Sequence, residues 1–122
     1  MFRSAVLAVA LLAFAASPSL AASGTFKGAS SHKTTGSVTV TEKCGKLVIK
    51  LGSNFSLDGA PDPYVSLGNG SRPVKGGTAG ILAKNKGSGT YSVPATAVTK
   101  AAKEVIIWCK KYAVPLGVAR LK

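Results

Sequence analysis

The chain has few of the groups that do chemistry. In 122 residues it holds one histidine, His32, and four carboxylates, Glu42, Asp58, Asp62 and Glu104. It has two cysteines, Cys44 and Cys109. There is no Gly-x-Ser-x-Gly elbow, no His-Glu-x-x-His and no phosphate-cradling glycine loop, which removes the common hydrolases and nucleotide enzymes. A carboxylate pair would have to come from Asp58 and Asp62 in LDGAPDP, where acids beside Gly and Pro read as turn formers bonding their own backbone. Two carboxylates fall short of the six to eight oxygens calcium takes. A zinc site from Cys44, Cys109 and His32 lacks a fourth ligand and any close-spaced pair. No metal is expected.

Long apolar runs are also missing. The longest, residues 5–16, is too short for a bilayer, which takes roughly 20 apolar residues. Arg3 precedes it, and Pro18, Ser19 and Ala21 follow, in the order of a secretory signal with its cleavage site. The expectation is a signal peptide over 1–21 and a single domain over 22–122, secreted or periplasmic, with no membrane-spanning segment after cleavage. Loss of Arg3 leaves fifteen cations against four acids, a net charge of +11 where the whole chain has +12. Such a field favours an anionic partner, whether an acidic protein, a lipid head group or a glycan, and weakens with salt. The lysines are scattered without interleaved aromatics, which argues against nucleic acid.

What is present is β patterning. SVTVTEK alternates with period two, Gly45 turns the chain, and KLVIKL answers it, a hairpin signature with Val38, Val40, Leu47, Ile49 and Leu51 on the buried faces. Further strands are expected at 64–67, 80–83, 90–93, 104–110 and 112–121, the last with an edge or bulge at Pro115. Residues 95–103 have helical composition, residues 69–77 read as a mobile glycine-rich loop, and 84–89 as a solvated turn. The fold class is all-β, one sandwich or barrel-like domain of about eight short strands. EVIIWC is the most apolar run after the signal, so it is expected to be a central strand with Trp108 in the core, where truncation to Ala costs about 3–5 kcal/mol. His32, in SSHKTT, is expected to be exposed.

Cys109 leaves several chemistries open. In an exported protein, Cys44 and Cys109 form a disulfide by default. It would close a loop of about 65 residues and contribute roughly 4 kcal/mol by loop entropy. Alternatively Cys109 is a free thiol made reactive by Lys110 and Lys111, a haem or metal ligand, or a small apolar filler beside Trp108.

Three blocks, GTFKGASSHKTTGSVTV, KLVIKLGSNFSLDGAPDPYVSLG and VIIWCKKYAVPLGVARL, resemble the DM-thirteen domain, also called the electron transfer DM domain. The likeness runs from Gly24 to Leu121. It is carried by Gly28, His32 and Gly36, then Phe55, Asp58, Gly59, Pro61 and Asp62, then Trp108, Cys109, Pro115, Gly117 and Ala119. The resemblance implies a β-sandwich-like domain with a redox role for Cys109, with Trp108 and Lys110 adjacent, as a bare thiol or as a haem ligand. Cys44 departs from the family pattern, since most members have no cysteine at the hairpin turn.

Overall fold

A computed structural model describes residues 21–122; the expected signal segment lies outside them except for Ala21. Ten strands and one helical turn follow in order. They are β1 (Ala21–Gly28), β2 (Thr34–Thr35), β3 (Ser37–Lys43), β4 (Lys46–Leu51), β5 (Ser56–Leu57), β6 (Pro63–Asn69), β7 (Arg72–Ile81), β8 (Gly89–Pro94), α1 (Ala97–Lys100), β9 (Glu104–Cys109) and β10 (Val114–Arg120). Eight of the strands form an antiparallel sheet in the order β7-β6-β9-β10-β1-β3-β4-β8, and β2 pairs with β5 in a separate ribbon. The sheet curls until β7 lies beside β8, a nearly closed barrel. Closure hides most of the backbone edges that an open sheet would leave unpaired.

The expected hairpin is β3 and β4, turned by Cys44 and Gly45 with φ of 52° and 77°. Two left-handed residues in a two-residue loop match the right-handed twist of the strands they join. All five residues assigned to its buried faces are inside, with Ile49 at 0 % exposure and Val40, the most open, at 7 %. Pro115 marks a bulge, where the register of β10 against β9 shifts before Gly117. It is not an edge, because β10 lies between β9 and β1.

Residues 69–77 are not a mobile loop. Asn69 pairs with Arg72 across a turn in which Gly70 and Ser71 have φ of 59° and 64°, and the chain continues into the ten residues of β7. The glycines serve register shifts instead: between Ser66 and Gly68 on one side, Thr78 and Pro73 on the other, β7 bulges. A Cβ on Gly77 would press on Leu67 and Val74, so the bulge depends on its absence. The helical stretch shrinks to the single turn α1, capped by Thr96, whose hydroxyl accepts from the Thr99 N–H. Its β-branched neighbours Val98 and Thr99 account for the brevity. The 80–83 strand ends at Ile81 as part of β7.

β9 is central, between β6 and β10, but Trp108 is not in the core. Val105, Ile107 and Cys109 point into the barrel, at 0 %, 0 % and 1 % exposure. Period two then places Glu104, Ile106 and Trp108 on the outer face, and Trp108 is half-buried. Ile107→Ala should therefore lower the unfolding free energy by about 2–5 kcal/mol, and Trp108→Ala by only about 1 kcal/mol, as measured by denaturant titration followed by circular dichroism.

Candidate functional site

One end of the barrel is closed by three segments: 29–33 between β1 and β2, 58–62 between β5 and β6, and 110–113 between β9 and β10. The first is a tight turn, with Ser30 and Ser31 at φ of 54° and 66° and the His32 N–H donating to the Ala29 carbonyl at 3.0 Å. It is tied to β10 where the Ala29 N–H donates to the Leu116 carbonyl at 3.1 Å and the buried Thr34 hydroxyl donates to the same carbonyl at 2.8 Å. Gly117 makes room for that contact, since a Cβ there would strike the Thr34 side chain. Gly28 and Gly36 fill like roles, against the His32 carbonyl and the Phe55 backbone.

The second segment is held by Asp58. Its Oδ2 accepts the Lys33 N–H at 2.9 Å, its Oδ1 lies 2.9 Å from His32 Nδ1, and its own N–H donates to the Lys33 carbonyl at 3.0 Å. Asp58 thus binds a segment 25 residues away rather than its own turn, and His32 is half-buried and paired rather than exposed. The Lys33 N–H, and after it the His32 ring, hold the Asp58 carboxyl below its ordinary value because both favour the charged form. With Nδ1–H donating to the carboxylate, His32 keeps Nε2 for another partner. Asp62, with φ of 57°, is a turn residue, and its carbonyl accepts the Lys110 N–H at 3.1 Å. That bond joins the second segment to the third.

Cys109 lies beneath this join. Its Sγ is 3.2 Å from the Pro61 carbonyl oxygen, and the residue is 1 % exposed. A carbonyl only accepts, so the sulfur donates as a protonated thiol. The cations that follow it do not face the sulfur. Lys110 Nζ sits 5.2 Å from the centre of the Tyr64 ring and Lys111 Nζ 5.4 Å from that of Tyr112.

The disulfide between Cys44 and Cys109 is not formed; both are free, Cys44 exposed and Cys109 buried. The strand register gives the reason. Cys44 turns the end of the barrel where Lys46 pairs with Pro94 and Arg120 with Glu104, whereas Cys109 pairs with Pro63 and Val114 at the other end. A six-residue strand is roughly 20 Å long, and a disulfide needs Cα atoms within about 7 Å. Haem on Cys109 does not fit either. The sulfur is turned inward among Val105, Ile107 and Leu116 and covered by the Pro61 carbonyl, which leaves no open face for a macrocycle. No group of three or more His, Cys, Asp or Glu is clustered for a metal among the described residues.

Sequence reasoning missed Tyr64, which pairs with Trp108 on the outer face. The alternation in PYV and IWC carried part of that signal. The pairing of β6 with β9, strands far apart in the chain, was not readable.

The architecture defines a class of small antiparallel barrel-like domain with one end locked by three loops. The model of the family described as electron transfer DM13 matches residues 25–121, and the chain belongs to that family. Electron transfer is thus the role assigned at family level. No curated protein and no solved structure matches the chain.

The lock should be visible in the pH dependence of stability. A carboxyl with a lowered folded pKa stabilises the fold fully above its unfolded pKa of about 3.9 and loses that contribution as pH falls through the folded value. Asp58→Asn should therefore be less stable than the parent at pH 7, and the two thermal midpoints should converge as pH drops below about 4. Midpoints that differ equally at pH 7 and pH 2.5 would assign the Asp58 contribution to something other than its charge.

Proposed function

We propose that this protein is an exported electron-transfer domain whose redox group is the Cys109 thiol. The observation that carries the reading is the place of its sulfur. Among the described residues it is the one cysteine at the end of the barrel where all three motif segments meet, and it hydrogen-bonds the Pro61 carbonyl. The covering segment 58–62 is held by the Asp58 bonds to His32 and Lys33 and by the Asp62 carbonyl on the Lys110 N–H, so the thiol is reached only when those bonds open.

Cys44 lies at the other end, so Cys109 has no second thiol of its own chain within reach. Its exchange is therefore with a partner's disulfide. When the 58–62 segment lifts, the Cys109 thiol loses its proton to solvent and attacks one partner sulfur. A mixed disulfide forms, the partner's S–S bond breaks, and the released thiolate takes up a proton. The net charge of +12, or +11 after signal removal, favours an acidic partner and an encounter that weakens with salt.

The test uses the Cys44→Ser variant with oxidised glutathione as the disulfide. Mass spectrometry of the native protein should show one glutathione adduct, on Cys109, forming slowly and reversed by reductant. Asp58→Asn in the same background should accelerate it several-fold by loosening the segment. A Cys109 that stays unmodified under native conditions in both proteins, yet reacts after unfolding, sinks the proposal.

A further inference from the structure

A row of apolar side chains crosses four strands on the outside of the barrel. Pro115, Trp108, Tyr64 and Ile81 are successive register partners on β10, β9, β6 and β7, and paired residues of antiparallel strands share a face. Their sequence neighbours Val65 and Ile107 fill the interior at 0 % exposure, so the row faces solvent. Ile81 is 62 % exposed, and Trp108 and Tyr64 are half-buried. A cleft of about 320 Å³ opens at the middle of the row, lined by Tyr64, Pro73, Thr78, Trp108 and Lys110.

The cleft combines three kinds of group. Trp108 gives an aromatic surface, Lys110 Nζ lies over the Tyr64 ring 5.2 Å from its centre, and the exposed Thr78 offers a hydroxyl that lies 3.5 Å from that of Ser66. The occupant they fit has a flat face of C–H bonds, a carboxylate and several hydroxyls. We propose that this cleft binds an acidic oligosaccharide, a chain of uronic-acid units. The C–H face of a sugar ring lies on Trp108, attracted to the ring's negative quadrupole. The carboxylate meets Lys110, and a ring hydroxyl meets Thr78.

An aromatic carboxylate would also stack and pair, but it leaves Thr78 unused. The excess of cations over acids supplies the charge complementarity. Cys109 points to the opposite side of β9, so this site stands apart from the thiol.

Trp108 is the only tryptophan, so its emission reports the cleft without labelling. Tetragalacturonate should change it saturably, with neutral cellotetraose binding at least about tenfold more weakly. Lys110→Gln should weaken tetragalacturonate by about tenfold, the loss of one charged hydrogen bond. Lys111→Gln removes the same charge outside the cleft and should leave affinity within about twofold, and Cys109→Ser should leave it unchanged. Circular dichroism confirms that the variants are folded. The proposal is overturned by equal losses in Lys110→Gln and Lys111→Gln, which reduce it to net charge. It is overturned equally by binding of 2-naphthoate without tetragalacturonate, or by no response to any of the probes.

Discussion

The register of β9 governs the rest of the molecule. This strand lies between β6 and β10, and the alternation of its side chains sends Val105, Ile107 and Cys109 into the barrel while Glu104, Ile106 and Trp108 face out. A slip of one residue would exchange the two sets, placing a carboxylate and an indole in the core and a thiol in water. The outer face is fitted to its own set. Gly68, opposite Glu104, has no Cβ and so leaves space for Ile106, which a side chain there would strike. Ile106 is fully buried although it lies outside the central core cluster.

The scarcity of acids acquires a structural meaning from the same geometry. Asp58 locks the 29–33 segment to the 58–62 segment. Glu104, only 5 % exposed, accepts the Ser71 N–H at 2.8 Å and so fixes the β6–β7 turn. Glu42 lies 3.9 Å from Lys100 on α1, a long and exposed contact that contributes little. Two of the four carboxylates are thus committed to backbone N–H groups, Glu104 also lying 3.9 Å from Arg120, and the cations far outnumber the acids.

The fold class was legible because period-two alternation and Gly-containing turns are local signals; SVTVTEK–CG–KLVIKL declared its hairpin without help from the rest of the chain. Local composition misled where its meaning depended on a distant partner. The glycines of 69–77 read as mobility, but opposite Leu67 they build a bulge. Trp108 read as core by size, but its face was set by the strand's alternation against partners that only the tertiary register reveals. For the same reason the lysines after Cys109 suggested a thiol in a positive field, whereas the chain turns after β9 and carries both ammonium groups to aromatic rings outside. The disulfide followed from compartment alone, and strand register placed its two halves at opposite ends. The candidate site was legible as three motif blocks, though not as their convergence, which needs the hydrogen bonds from Asp58, Leu116 and Pro61.

The two faces of β9 are not isolated from each other, because Lys110 belongs to both. Its N–H is held by the Asp62 carbonyl at 3.1 Å, on the segment that covers Cys109, while its ammonium reaches across the outer face to Tyr64. Any motion that lifts the 58–62 segment far enough to bare the sulfur breaks the first contact and frees the backbone that aims the second. A thiol protected in this way exchanges only when its cover opens, so its rate depends on the stability of three loops as much as on the sulfur.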